Sequence, residues 1–138
     1  SSAMITVNAM INDELLNSYW ADGLIIATPT GSTAYSLSCG GPIIMPGSGN
    51  FVITPISPHN LNVRPIVVSA DMTLKLKIES RTDKYILSCD SKSETLSTDI
   101  EITIRKAPFE INLIRLQNDS YFGTLREKLL WGIDVRNY

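Results

Sequence analysis

Short apolar runs alternating with polar residues recur along this chain, and a period of two predicts a molecule built mostly of strands. Ala3 to Met10 places Ile5, Val7 and Ala9 on one side and Thr6 and Asn8 on the other, as a half-buried strand does. Asn12-Asp13-Glu14 reads as a turn, and Leu15 to Tyr19 as the returning strand of a hairpin that leads through Trp20-Ala21 to Asp22. Leu24 to Ala27 is an apolar run too short for a helix, which predicts a buried strand. Phe51 to Ile56, Ile66 to Ser69, Leu74 to Ile78 with its lysines outward, Tyr85 to Cys89, Ile100 to Arg105 with its isoleucines inward, and Ile111 to Leu116 continue the series. Helical spacing appears in Tyr121 to Leu130, where Phe122, Leu125, Leu129 and Leu130 form a stripe that stops at Gly132. Many closely spaced strands and little helix predict a mainly β fold, an antiparallel β-sandwich with complex topology, rather than a parallel α/β sheet.

One stretch departs from plain sheet. After Ala27, Thr28-Pro29-Thr30-Gly31-Ser32 is turn chemistry, Ser32 suits a helix N-cap, and Ala34, Tyr35 and Leu37 continue a short helix until Gly40-Gly41-Pro42 ends it. A strand, tight turn and helix start would leave backbone N–H groups and the positive end of a helix dipole free for a polar ligand. Thr30, Ser32, Thr33, Ser36 and Ser38 add uncharged hydroxyls, and the i,i+4 spacing sets Ala34 and Ser38 on one face. The same residues also suit a helix that is merely capped, and spacing alone leaves both readings open. No lysine follows the glycine as in a P-loop, and no G-x-G-x-x-G occurs. Asp22 before Gly23 reads as a turn residue at a strand end, His59 in Pro58-His59-Asn60 as a structural turn histidine, and Asp90-Ser91-Lys92 as a loop that presents polar groups.

Composition narrows the function classes. At 138 residues and 43% hydrophobic the chain suits one globular domain. A formal charge of −2 with scattered basic residues argues against nucleic acid or an anionic membrane as partner. No stretch approaches the ~18 apolar residues of a membrane span, and no basic-then-apolar leader opens the chain, so the expected location is cytoplasmic. Cys39 and Cys89, fifty residues apart with one histidine in the chain, make no zinc-ligand set and read as buried thiols of a reducing compartment.

Asp22 to Ile43, with Thr28-Pro29-Thr30-Gly31-Ser32-Thr33-Ala34-Tyr35 at its centre, resembles the signature of the NAD kinases, which phosphorylate the 2′-hydroxyl of the adenosine ribose of NAD to give NADP. The resemblance extends through Pro58 to Ile66, Ser88 to Lys92, Ser120 to Leu129 and Trp131-Gly132, nearly the whole chain. It implies that Thr33, Ala34, Tyr35, Ser36, Leu37 and Ser38 line the NAD site and that Asp22 contacts the dinucleotide, often from a neighbouring subunit. Many bacterial relatives carry a basic residue where this chain has Trp20. Lys92 stands where relatives have glutamine; it can pair with a phosphate but cannot accept a hydrogen bond. The resemblance further implies NAD and ATP as substrates, Mg²⁺ with the ATP, and a homo-oligomer joined through this half. The family's Gly-Gly-Asp-Gly-Thr motif, which carries the catalytic aspartate, and its Asn-Glu pair do not occur in this sequence. The expectation is therefore the C-terminal, NAD-binding half of such a kinase without its N-terminal α/β domain, holding no catalytic residue and no metal ligand and inactive by itself. Two other readings remain beside it: a non-catalytic β module that binds a nucleotide or a partner, and half of a related lipid kinase.

Overall fold

The computed structural model describes residues 4–132, and the chain divides into one unit up to Lys106 and a second from Ala107. In the first, β1 (Ile5–Ile11) and β2 (Glu14–Ala21) form the expected hairpin. Its turn is Asn12-Asp13, both at positive φ (48° and 66°), the conformation that matches the twist of a two-residue hairpin. The Asn12 N–H donates to the Thr73 carbonyl and the Asn12 side-chain Oδ1 accepts from the Thr73 N–H, both at 3.0 Å, which pins the turn beside β6 (Leu74–Glu79). β6 lies between β1 and β9 (Ile102–Ile104), giving the sheet order β2-β1-β6-β9. Its Leu74, Leu76 and Ile78 are buried, with the lysines on the other face.

The chain changes sheet at Asp22. β3 (Gly23–Ala27), β4 (Asn50–Ile56) and β5 (Ile66–Ser69) form a second antiparallel sheet in sequence order. Its inner face meets the first: Phe51, Ile53 and Val68 pack with Val7, Ala9, Tyr19, Leu74, Leu76 and Ile78 in one core, so the sandwich expectation holds. β4 is buried on both faces, because Val52 clusters with Ala27 and Ile44 on the side away from that core. Pro55 is tolerated in β4 because β5 pairs only with Asn50 to Ile53, so no ladder partner needs the missing N–H.

Several expectations need correction. Lys92 does not sit in a loop but begins β8 (Lys92–Ser97), which pairs with β7 (Lys84–Cys89) across an Asp90-Ser91 turn. The strand went unread because Lys-Ser-Glu-Thr-Leu-Ser is polar on both faces and has no alternation. β9 is three residues rather than Ile100 to Arg105; Ile100 lies outside it, and its carbonyl accepts a 2.9 Å hydrogen bond from the Tyr85 hydroxyl. Cys89 is exposed and Cys39 half-buried, so neither is a core thiol.

In the second unit Ile111 to Leu116 is not a strand, and Ile111, Leu113, Ile114 and Leu116 are all exposed. Alternation supplies a strand's two faces but not its hydrogen-bonding neighbour, and none of the described residues pairs with this segment. The expected helix is present as α2 (Tyr121–Leu129). The Ser120 hydroxyl accepts from the Gly123 N–H at its start, and Leu130 in the left-handed region (φ 58°) ends it. Leu125 of its apolar stripe is buried while Phe122 and Leu130 are exposed.

Candidate functional site

β3 delivers the chain at Ala27 into a turn closed by its own short-range bonds. The Ser32 N–H donates to the Thr28 carbonyl at 2.8 Å, the Gly31 N–H donates to the Thr28 hydroxyl at 3.2 Å, and Thr30–Thr33 forms a single 3₁₀ turn. Ala34, at φ −100° and ψ −130°, interrupts the helical path before α1 (Tyr35–Ser38), which is one turn long. The expectation that Ser32 caps a helix is therefore wrong: α1 begins after Ala34 and has no side-chain cap. Four residues also stack too few peptide dipoles to make the helix start an anion site, so the dipole expectation falls with the cap.

The hydroxyls do different work. Ser32, Ser36 and Thr54 are the buried polar residues among those described, with 0%, 1% and 0% of their surface exposed, and they sit in one place. Ser36 Oγ and Thr54 Oγ1 lie 2.9 Å apart in a mutual hydrogen bond on the outer face of β4. Ser32 Oγ donates to the Pro29 carbonyl at 2.6 Å and accepts from the Ile44 N–H at 2.9 Å, tying the start of the segment to its return. Gly41 closes the staple, its N–H donating to the Ser36 carbonyl at 2.8 Å. A Cβ there would lie 2.8 Å from both that carbonyl oxygen and Thr54 Oγ1 and closer still to Ser36 Oγ, so only glycine fits without displacing the pair. Ser36, expected to line the ligand site, thus turns its side chain into the protein.

The residues between the staples face outward. Tyr35 is 59% exposed, Ala34 and Ser38 are exposed, and Thr33 and Leu37 are half-buried. Ser32 and Ser36 share the inner side and Ala34 and Ser38 the outer. Thr54 pairs with Ile25 in the middle of β3, so anchoring Ser36 on Thr54 folds the segment back along β3 toward Asp22. Asp22 is exposed at the change of sheet, its N–H donating to the Ile56 carbonyl at 2.9 Å. The Tyr35 phenol is raised above its ordinary pKa, chiefly by a hydrogen bond to the Cys39 side chain and that group's charge, then by desolvation, and least by the charge of the Asp22 carboxylate. Tyr35 therefore stays a neutral hydroxyl at physiological pH, with its ring open.

Lys92 stands apart on the β7–β8 hairpin, opposite Cys89 and beside Leu87, Ser93 and Glu94. A further feature lies on the other side of Asp22, where Trp20, 58% exposed, borders a cleft of about 260 Å³ with Tyr19, Pro58, His59, Asn60 and Val63. The His59 N–H donates to the Trp20 carbonyl at 2.8 Å, so the loop that looked purely structural forms a wall of this cleft. Among the described residues no three His, Cys, Asp or Glu side chains converge to hold a metal ion.

Residues 1–116 match the sequence model of the family described as ATP-NAD kinase C-terminal domain. Over 137 residues, 99% of its length, the chain is 57% identical to an NAD kinase of Christiangramia forsetii and 54% identical to one of Cytophaga hutchinsonii. It covers 47% of each, so it spans about half the length of the curated relatives it matches. Among solved structures it is similar to an NAD kinase from Archaeoglobus fulgidus in complex with ATP, with a TM-score of 0.69 and 34% identity over 77% of this chain and 41% of that one. It is also similar to yeast NADH kinase complexed with NADH, with a TM-score of 0.72 and 26% identity over 98% of this chain and 42% of the other.

The buried pair gives a test of the staple. Ser36→Ala or Thr54→Val leaves one hydroxyl buried without its partner, and each should cost about 1–3 kcal/mol in chemical denaturation. The double variant should cost clearly less than the sum, with a coupling of about 0.5–3 kcal/mol. Strict additivity would show that the two hydroxyls do not act together.

Proposed function

The chain belongs to the ATP-NAD kinase C-terminal domain family, and from that premise we propose that it is the dinucleotide-binding part of an NAD kinase, which transfers a phosphoryl group from ATP to the 2′-hydroxyl of the adenosine ribose of NAD. The observation that carries the reading is the exposed Tyr35 ring on a segment whose inner side is already anchored by Ser32, Ser36 and Thr54.

Phosphoryl transfer to a sugar hydroxyl requires the acceptor in line with the donor's terminal phosphate, a carboxylate to take the proton, and a cation to offset charge. This chain answers to the first requirement. Tyr35 offers an aromatic face and a neutral hydroxyl, Thr33 and Ser38 offer hydrogen bonds, and Ala34 and Leu37 let a flat ring approach the backbone. Asp22 accepts from ribose hydroxyls or an amide, in the ligand's own subunit or a neighbouring one. Ser36 contributes through the backbone it positions, and Lys92 is kept as a phosphate contact. The proton acceptor and the holders of Mg²⁺ belong to the rest of a full-length kinase, in an α/β domain that also takes ATP. No helix among the described residues is long and apolar enough to cross a membrane, and a cytoplasmic, homo-oligomeric enzyme joined through this domain completes the proposal.

Incubated alone with NAD and MgATP, the chain should yield no NADP above background; turnover that survives repurification would contradict the division of labour. Within the full-length kinase, Tyr35→Ala should raise the KM for NAD about 2- to 12-fold, the equivalent of about 0.5–1.5 kcal/mol of ring contact. Asp22→Asn should act in the same direction. Because both side chains are exposed, unfolding free energy should move by no more than about 0.5 kcal/mol. Variants that melt far below the parent with unchanged NAD kinetics would make the segment structural only. Light scattering of the chain should report a dimer or larger, and a monomer at high micromolar concentration would contradict the oligomer.

A further inference from the structure

We infer that Thr54 is a positioning residue for the dinucleotide: its buried hydroxyl, out of any ligand's reach, sets the affinity of the Tyr35 segment by keeping Ser36 turned inward. The inference rests on the site reading above and adds to it a residue that lies outside the segment.

The two partners of this hydrogen bond are held very differently. Thr54 lies in β4 in register with Ile25 of β3, with none of its surface exposed. Its side chain is β-branched and has few rotamers, so the strand fixes where the hydroxyl points. The surroundings on that face are apolar, since Val52, two residues away, packs with Ile25, Ala27 and Ile44. Ser36 belongs instead to a helix of four residues, entered through the non-helical backbone of Ala34, without a side-chain cap, and followed by Gly40 at φ 86°. One turn has no cooperative stability of its own, and tertiary contact decides which of its sides meets the sheet.

The other supports tie the segment to its own neighbourhood. The Gly41 N–H bonds the Ser36 carbonyl, and Ser32 bonds Pro29 and Ile44, none of which lies in a strand. The Ser36–Thr54 pair links the segment to the sheet. If the Thr54 hydroxyl is removed and its shape kept, Ser36 is left with a buried hydroxyl that has no partner. Rotating its single turn brings that hydroxyl to water, and the same rotation carries the adjoining Tyr35 out of its open position. The fraction of molecules ready to bind then falls, and apparent affinity falls with it. Once a dinucleotide is bound the segment is back in place, so the loss belongs to KM and not to kcat.

The test uses the full-length kinase. Thr54→Val should raise the KM for NAD about 3- to 10-fold, part of the full penalty of a buried hydroxyl without a partner, with kcat within about twofold of the parent. Thr54→Ser, which returns the hydroxyl, should bring the KM back toward the parent's. Adding Ser36→Ala to Thr54→Val removes the hydroxyl that seeks water and should lower the KM below that of Thr54→Val alone. Should valine prevent folding, as read by circular dichroism, Thr54→Cys keeps the shape with a weaker bond and should raise the KM in the same direction. A melting temperature that falls while the KM stays at the parent's value would make Thr54 structural only. A serine variant as impaired as the valine one, or a double variant worse than Thr54→Val, would equally overturn the inference. Tyr35→Ala, assayed alongside, separates the two readings. If it raises the KM and the Thr54 variants do not, this inference alone falls; if it leaves the KM unchanged, the site reading falls and takes this inference with it.

Discussion

Thr54 has its hydroxyl on the outer face of a strand with no solvent on either side. A hydroxyl buried without a partner costs about 1–3 kcal/mol, so something must cover it that can also bond it. Ser36 meets that requirement at 2.9 Å, and the rest of the candidate site depends on the match. To bring Ser36 there the chain must turn sharply after β3, which Ser32 secures through Pro29 and Ile44, and must leave by a residue without a side chain, which Gly41 supplies.

What the segment turns outward is thus a consequence of what faces the strand. With Ser32 and Ser36 held inward, the residues between and after them turn out, and Tyr35 arrives with its ring open. The segment is held before any ligand arrives, because its supports are protein–protein hydrogen bonds. Such preparation reduces the ordering cost on binding.

The strands with strict alternation, such as Leu74 to Ile78 and Ile5 to Ala9, were legible because one face of each meets the core. The polar β8 was not, since nothing in its pattern distinguishes it from a loop, and Ile111 to Leu116 misled because pattern cannot report whether a neighbouring strand exists. At the candidate site, sequence singled out the segment but not which of its hydroxyls turn inward. That choice is made by Thr54, some eighteen residues away from Ser36 along the chain, and local spacing carries no information about it. Trp20 and His59 went unjoined for the same reason: their meeting is a backbone bond between separate elements.

The claim that the segment is held by its own buried hydroxyls, before any ligand binds, is tested most directly by amide hydrogen exchange in the ligand-free chain. The N–H groups of Ile44, bonded to Ser32 Oγ, and of Gly41, bonded to the Ser36 carbonyl, should exchange as slowly as those of β4. Exchange at those two amides as fast as in the exposed segment 107–119, slowing only when NAD is added, would contradict the account.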